Sequence, residues 1–259
     1  MGLRRALVML LIAGAVTLGV RSFWSSAPTS QPAVPVAAAA PAPVPPPLPT
    51  TTTVPPPPVP VSTLVASPKG TVQTFATPGG APTGSFSTWY GYSLSLPLIS
   101  AVDGWVEVRM PQRPNGSTAW MRYRDVTMST TPYRIVVSVG SERLVVYQAG
   151  YPILEFPVGV GVPATPTVTG RFFVTVRAPA PNAGYGPFVL STSAHSEAIQ
   201  SWEGMGDALI AIHGPITSYA DQRIGTTGVQ ISNGCIRLHD ADLAKLSVIP
   251  PGTPVDINA

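Results

Sequence analysis

The chain has 259 residues, a net charge of +3 and a pI near 9.2, with only 10% of its residues charged. This mild basic balance fits residence near an anionic surface, and nothing in the sequence indicates nucleic-acid binding, a nucleotide-binding loop or an organic cofactor. One cysteine and three histidines without close spacing also argue against a zinc site.

The first 20 residues predict export from the cytoplasm. Arg4 and Arg5 precede an uninterrupted apolar run over residues 6–20, which is the charged-then-apolar pattern of a signal sequence. As a helix this run reaches about 22 Å, against about 30 Å for the hydrocarbon core of a bilayer, which favours a signal peptide over a stable span. We assign residues 1–27 to a signal peptide, with an uncleaved membrane tether through residues 6–20 as the alternative.

Residues 28–64 are interpreted as a proline-rich linker. Between positions 28 and 60, 14 of 33 residues are proline, and no charged residue lies between Arg21 and Lys69. Proline favours polyproline II at about 3.1 Å per residue, so the segment reaches roughly 100 Å as a semi-rigid spacer. Such reach suits an enzyme tethered at a membrane, and a ligand for a partner domain is the weaker alternative.

Residues 65–130 are predicted to form a small β domain. Residues 105–109 alternate apolar and polar side chains, and the Asn115–Gly116 pair predicts a hairpin turn. Residues 103–108 together with 116–121 resemble the SH3-like domains that accompany bacterial wall enzymes, which implies a small barrel. Four aromatic residues form either its core, which is favoured, or a wall-binding face: Trp89, Tyr90, Tyr92 and Trp105.

Residues 131–259 are predicted to form a second domain, mostly of β-sheet. Apolar stretches around a Gly140–Ser141 turn predict a hairpin, and further β patterns follow at residues 153–160, 171–176 and 255–257. One helix is predicted to begin with Asp240 as its N-cap and to carry Leu243 and Leu246 on one face.

The candidate catalytic pair is Cys235 and His213. An exported chain with one cysteine cannot close an internal disulfide, so the free thiol calls for another explanation. His213 ends the apolar run 208–212 and precedes Gly214, which predicts a base held at the end of a buried strand. A cysteine attacks as the thiolate, and His213 could lower the thiol pKa and take its proton. A structural buried cysteine is the weaker alternative.

The neighbours of Cys235 suggest supporting roles. Gly234 leaves the backbone uncrowded, so that main-chain N–H groups could face a developing oxyanion. Arg237 could hold a substrate carboxylate or brace the loop, and Ser232 could orient a backbone or imidazole group. His195 and His239 are weaker candidates for the base, because neither ends a buried strand before a glycine.

The order Ile212-His213-Gly214, then Ser-Asn-Gly-Cys-Ile-Arg-Leu over residues 232–238, resembles the catalytic signature of the L,D-transpeptidases. These are bacterial cysteine enzymes that cross-link peptidoglycan. Residues 165–172 resemble the Pro-Thr-Gly turn of that family, and residues 185–188, beginning with Tyr185, resemble the segment that lines its substrate groove. The similarity covers about residues 131–258.

The resemblance implies a mainly β fold, with the SH3-like barrel followed by an L,D-transpeptidase β-sandwich and a short helix after the catalytic loop. It implies a thioester on Cys235, His213 as acid and base, transfer to an amine of a neighbouring stem peptide, and acylation by carbapenems. It also implies a role in cell-wall organisation and cell shape, without a cofactor, for a chain we expect to be a monomer. Residues assigned to the oxyanion and substrate sites are Ser232, Asn233, Gly234, Arg237, Gly214 and Tyr185.

Two departures from the family pattern concern the loop before the nucleophile. Asn233 stands where many members have histidine, and the interval from His213 to Cys235 is longer than in compact members. The alternatives are an L,D-carboxypeptidase with the same site, a non-catalytic wall-binding protein, and another exported cysteine enzyme such as a sortase or papain-like peptidase.

Overall fold

The computed structural model describes residues 59–202, 206–226 and 228–259. The predicted signal peptide and most of the predicted linker lie outside these described residues. Within them, the helices are all too short or too polar to span a bilayer. All of these described residues fall within one compact unit.

The first part of this unit is a seven-stranded antiparallel sheet with the order β3-β2-β6-β5-β4-β1-β7. Its strands are β1 (Thr63–Pro68), β2 (Val72–Phe75), β3 (Pro82–Phe86), β4 (Leu96–Val102), β5 (Trp105–Arg109), β6 (Thr118–Arg122) and β7 (Val126–Thr131). In β5 the buried residues are Val106 and Val108, as the alternating pattern predicts. The predicted β character of this segment is therefore confirmed, while its SH3-like identity stays a prediction.

The aromatic residues of this sheet do not all lie in its core. Trp89 is partly buried and packs against the apolar cluster of the sheet. Tyr90 and Tyr92, in contrast, are 60% and 42% exposed. The favoured prediction of a core role is therefore wrong for these two tyrosines, because they sit in the turn between β3 and β4 and not on a buried strand face.

The second part is an eight-stranded sheet with the order β10-β9-β8-β17-β12-β13-β14-β16, and a two-stranded ladder of β11 and β15. The strands are β8 (Tyr133–Ser138), β9 (Arg143–Gln148), β10 (Tyr151–Pro157), β11 (Val160–Gly161), β12 (Gly170–Ala178), β13 (Val189–His195), β14 (Leu209–His213), β15 (Gln230–Ser232), β16 (Ile236–Arg237) and β17 (Pro254–Asn258). The predicted β8–β9 hairpin is present, and β17 pairs with both β8 and β12. A mainly β fold is confirmed.

One face of this sheet carries the main apolar core. The helix α2 (Asp240–Lys245) covers it, and Leu243 and Leu246 are both 0% exposed, as predicted. Truncation of a fully buried leucine to alanine costs about 2–5 kcal/mol, so this short helix is held by packing more than by its own propensity.

The opposite face of the same sheet packs against the N-terminal sheet. Neighbouring residues on a strand point to opposite faces, and β12 illustrates this directly. Phe172 and Val174 belong to the main core, whereas Phe173, between them, is buried in the apolar cluster of the N-terminal sheet. The two sheets therefore share a buried contact within one compact unit.

Two details of the helices differ from the sequence predictions. The segment between His213 and Cys235 contains a helix, α1 (Ser218–Arg223), that was not predicted; the Thr217 side chain caps it by accepting a hydrogen bond from the Ala220 N–H at 3.1 Å. The N-cap of α2 is His239, and Asp240 is its first helical residue, where a carboxylate also stabilises the helix N-terminus.

Candidate active site

The parallel pairing of β14 with β16 places the candidate catalytic residues on one surface. His213 is the register partner of Arg237, and Ile212 is the partner of Ile236. Partners in register point to the same face of a sheet, and residues two apart on a strand share a face. Cys235 immediately precedes β16, two positions before Arg237. All three line one cavity of about 200 Å³.

The imidazole of His213 is oriented for proton transfer by its own loop. Its Nδ1 lies 2.7 Å from the Gly214 carbonyl oxygen, which makes Nδ1 the donor and leaves the lone pair on Nε2. The ring packs against Tyr185 with centroids 4.7 Å apart and is only 2% exposed. Burial lowers the pKa of His213 to about 4, an effect that the Gly214 carbonyl opposes and the Arg237 charge reinforces. The histidine is therefore neutral at pH 7.

Cys235 is a protonated thiol in this resting state. Burial raises the pKa of the Cys235 thiol, although the backbone of Ala211 and the Arg237 charge oppose this effect. Its Sγ lies 3.9 Å from the Leu209 carbonyl oxygen, as a weak S–H donor does. The sequence-based expectation that His213 lowers the thiol pKa is thus not met, because a neutral imidazole supplies a proton acceptor without a positive charge.

Hydrogen bonds hold the turn before the nucleophile in one shape. Ser232 Oγ accepts from the Gly234 N–H at 3.1 Å and donates to the Cys235 carbonyl at 2.6 Å, so this serine orients backbone groups. Gly234 has φ of +115°, and a Cβ there would lie 2.8 Å from Ile210 Cδ1. Thr167 Oγ1 donates to the Gly234 carbonyl at 2.8 Å. Both the backbone conformation and the packing therefore require glycine at position 234.

This turn also corrects the predicted oxyanion site. The Gly234 N–H is already bonded to Ser232 Oγ, so it does not face the cavity as a free donor. The N–H of Cys235 makes no hydrogen bond to another described residue. The backbone donor available beside the sulfur is therefore that of Cys235 itself.

Gly214 and Tyr185, the two remaining predicted site residues of this group, have separate roles. The Gly214 N–H donates to the Tyr185 carbonyl at 2.9 Å, and a Cβ on Gly214 would lie 2.5 Å from Asp240 Oδ1. Gly214 is therefore a close-packing position beneath the site, and does not line the cavity. Tyr185 does line it, next to the His213 ring.

Arg237 presents a partly free guanidinium to the cavity. Its Nη1 lies 3.4 Å from the Pro215 carbonyl oxygen, a long contact, and its buried Nε has no partner among the described residues. Asn233, at the rim of the cavity, is exposed and accepts a weak hydrogen bond from Thr165 Oγ1 at 3.4 Å. A guanidinium with spare donors is suited to a carboxylate.

Part of the cavity wall is formed by residues that the sequence did not single out: Ser196, Ile199, Trp202 and Asp207. Arg113, in the loop between β5 and β6 of the N-terminal sheet, holds this part of the wall in place by hydrogen bonds. It donates to Asp207 Oδ1 at 2.8 Å, to the Ser196 carbonyl at 2.8 Å and to the Ile199 carbonyl at 3.2 Å. Arg113 and Asp207 are 94 positions apart, so no local pattern announces the pair.

The two other histidines lie elsewhere. His195 is 0% exposed, with Nε2 at 2.5 Å from the Pro111 carbonyl oxygen and Nδ1 at 2.6 Å from Asp207 Oδ2. His239 contacts Asp221 Oδ1 at 2.6 Å and lines a different cavity. Neither lines the cavity of Cys235, so neither is a surrogate base there. No group of three potential metal ligands occurs among the described residues.

Comparison with known proteins identifies the second part of the chain. Residues 132–257 match the YkuD family model, an L,D-transpeptidase catalytic domain. Two proteins named "Putative L,D-transpeptidase YkuD" are similar to the chain, and both are 32% identical. The Bacillus licheniformis protein aligns over 129 residues, 49% of this chain and 67% of that protein. The Bacillus subtilis protein aligns over 130 residues, 50% of this chain and 68% of that protein.

Solved structures give weaker matches. An L,D-transpeptidase from Mycobacterium smegmatis is 15% identical with a TM-score of 0.38, covering 64% of this chain and 90% of that one. The catalytic domain of an Enterococcus faecium L,D-transpeptidase is 22% identical with a TM-score of 0.35. This match covers 48% of this chain and 95% of that one. The assignment rests on the sequence matches, whose segment contains both His213 and Cys235. This chain is an enzyme that belongs to the YkuD family of L,D-transpeptidases.

Proposed function

We propose that the chain is an exported cysteine L,D-transpeptidase that cross-links peptidoglycan stem peptides through a thioester on Cys235. The observation that carries this proposal is the single cavity lined by Cys235, His213 and Arg237. A thiol, a neutral imidazole and a guanidinium with spare donors are what acyl transfer from a peptide ending in a carboxylate requires.

Acylation begins with the donor peptide in the cavity. Arg237 binds the terminal carboxylate of the donor, which places the preceding peptide carbonyl near Cys235 Sγ. Nε2 of His213 takes the thiol proton as sulfur attacks the carbonyl carbon, and the Cys235 N–H stabilises the oxyanion. When the tetrahedral intermediate collapses, the C–N bond breaks, and the imidazolium gives its proton to the departing amine of the terminal D-residue. A thioester remains.

The second half-reaction consumes the thioester. A side-chain amine of a neighbouring stem peptide attacks the acyl carbon and gives a proton to His213 Nε2. The C–S bond breaks, the thiolate recovers that proton, and a new amide joins the two stem peptides. If water attacks in place of the amine, the same site is an L,D-carboxypeptidase, which is the second candidate.

The electrostatics of the resting site support a base mechanism without a pre-formed ion pair. The low pKa of His213 keeps the imidazole neutral, and the raised pKa of Cys235 keeps the thiol protonated until a carbonyl is in place. A non-catalytic wall-binding protein would have no need of this arrangement, and we therefore rank it below both enzymatic candidates.

The remaining parts of the proposal concern organisation and location. We propose residues 1–27 as a signal peptide or anchor, 28–64 as a linker, 65–130 as an SH3-like domain and 131–259 as the catalytic domain. The end of β7 at Thr131 and the start of the family match at residue 132 support the last boundary. The protein then acts as a monomer outside the cytoplasm, at the cell wall, secreted or membrane-anchored, and contributes to cell-wall organisation and cell shape.

Product analysis tests the function. The full chain and its Cys235→Ala variant are incubated with a disaccharide-tetrapeptide muropeptide, and products are separated by liquid chromatography and mass spectrometry. A dimer together with the released D-residue, from the unsubstituted protein only, is the expected result. Release without a dimer identifies the carboxypeptidase, and no product from either protein overturns both enzymatic candidates.

A further inference from the structure

A second cavity, of about 410 Å³, lies at the seam between the two sheets. Three arginines line it, and they come from both sheets. Arg109 ends β5 of the N-terminal sheet, while Arg134 and Arg171 lie on β8 and β12 of the catalytic sheet. None of the residues that line this cavity lines the cavity of Cys235. We call this second cavity the arginine cleft.

One carboxylate, that of Asp256, lines the arginine cleft together with the three guanidinium groups. Asp256 is the acidic residue among those that line the arginine cleft, and β12–β17 pairing places it directly opposite Arg171. Its Oδ2 contacts Arg134 Nη1. Arg109 and Arg171 form no ion pair with a described residue. The lining therefore carries more positive than negative charge.

Another carboxylate that acts on Arg109, that of Glu107, already accepts two other hydrogen bonds. Glu107 lies two residues before Arg109 on β5, but its Oε2 accepts from Ser100 Oγ at 3.0 Å and its Oε1 accepts from Thr118 Oγ1 at 3.0 Å. It therefore does not pair with Arg109. The spare donors include the buried Nε of Arg134, which has no partner in the described part of the chain.

The guanidinium groups of Arg109 and Arg171 also repel each other. The pKa of Arg109 is lowered, first by burial and then by the like charge of Arg171, against which Asp256 and Glu107 give partial compensation. Perturbed charged groups in a cleft are concentrated at functional sites.

We propose that the arginine cleft binds an oxyanion, the carboxylate or phosphate group of a ligand that also contacts the apolar walls. Guanidinium groups form paired N–H···O bonds with both kinds of oxyanion, and three of them converge from two sheets. Leu98 and Ile99 line the same cleft, and Ile99 is 44% exposed, so they offer apolar surface to the carbon atoms next to the charged group. The bound anion bridges the two sheets, away from the reacting sulfur.

Nuclear magnetic resonance of the arginine side chains tests this proposal directly. Sodium phosphate and sodium acetate are each titrated into the full chain at constant ionic strength, and the Nε–H resonances of Arg109, Arg134 and Arg171 are followed. A saturable shift of these resonances is expected with at least one anion, and the anion that gives it distinguishes a phosphate site from a carboxylate site. Linear or absent shifts with both anions overturn the proposal.

Matched variants keep the result specific to the cleft. Arg171→Gln removes an exposed member and is expected to weaken the apparent affinity by about tenfold, as the loss of a charge-assisted bidentate contact does. Arg143→Gln, an exposed arginine on the same sheet that lies 3.9 Å from Glu155, is the control and should retain the affinity. Equal affinities in both variants would overturn the proposal. Acylation of Cys235 by a carbapenem, followed in parallel, reports that each variant is folded.

Discussion

His213 and Arg237 are direct partners across the parallel strands β14 and β16, and both line the cavity that Cys235 also lines. This pairing places a permanent positive charge beside the imidazole, and it reinforces the burial that brings the pKa of His213 to about 4. The register therefore places the Arg237 guanidinium beside the imidazole, while burial remains the larger cause of the low pKa of His213. The proposed mechanism depends on it, and four predictions follow from this and neighbouring contacts.

The first prediction concerns the pH dependence of folding stability. His213 has a folded pKa of about 4 and an ordinary value of 6.5, so between these values the unfolded state binds the extra proton. The contribution of His213 to folding stability is therefore fully present above pH 6.5. It is lost as the pH drops toward 4, by about 3 kcal/mol. Urea unfolding at pH 7 and pH 4.5 measures the loss, and His213→Gln should remove most of it. An unchanged pH dependence in that variant would contradict the assignment.

The second prediction concerns substrate recognition by Arg237. Replacing it with glutamine should raise KM for a tetrapeptide donor by about tenfold or more, because a charge-assisted bond to the terminal carboxylate is worth about 1.5–3 kcal/mol. The matched control is the same donor with a C-terminal amide. The unsubstituted enzyme should discriminate strongly between the two donors, and Arg237→Gln should not. Persistent discrimination would show that another group reads the carboxylate.

The third prediction concerns the turn that carries the nucleophile. Gly234→Ala should destabilise the chain and abolish acylation, because a Cβ would lie 2.8 Å from Ile210 Cδ1 at a φ of +115°. Gly104→Ala is the control, since Gly104 also has a positive φ, +80°, but nothing lies within 4 Å of its Cβ position. It should cost only the conformational strain, about 1–2 kcal/mol, with acylation retained. Thermal unfolding and carbapenem adduct formation measure the two effects.

The fourth prediction concerns the part of the cavity wall that Arg113 holds by hydrogen bonds. Arg113→Ala removes the hydrogen bonds to Asp207, Ser196 and Ile199, so the wall should loosen and KM for a peptide donor should rise several-fold. Alkylation of Cys235 by the small reagent iodoacetamide should change little, because the sulfur does not depend on that wall.

The control for Arg113 is Arg124→Ala, in the short 3-10 helix between β6 and β7, whose side chain is 78% exposed. This variant should leave both KM and the alkylation rate unchanged. If Arg113→Ala behaved like Arg124→Ala, the contacts between the sheets would have no part in shaping the donor site. If it instead slowed alkylation as strongly as it raised KM, the defect would be a general loss of folding.

Local patterns explain what could be predicted from the sequence. The β8–β9 hairpin and the buried face of α2 follow from turn residues and from the spacing of Leu243 and Leu246, all within a few positions. His213 was expected at the end of a buried strand because an apolar run leads into Gly214, and β14 ends there. These features depend on short-range spacing, which a sequence displays directly.

Other features depend on contacts that no local pattern encodes. Helix α1 has six residues and buries only Ala220, so it leaves no apolar period to detect. The use of the Gly234 N–H by Ser232 depends on the exact turn, and that bond leaves the Cys235 N–H as the backbone donor beside the sulfur. The raised thiol pKa depends on burial, which follows from the assembled sheets and not from the residues beside Cys235.

The most direct test of the central claim is the site of acylation by a carbapenem. The full chain, Cys235→Ala and His213→Gln are incubated with the drug, and intact mass followed by peptide mapping locates any adduct. We expect one adduct on the peptide that contains Cys235, none in Cys235→Ala, and much slower adduct formation in His213→Gln. An adduct on any other residue, or one that persists in Cys235→Ala, would contradict it.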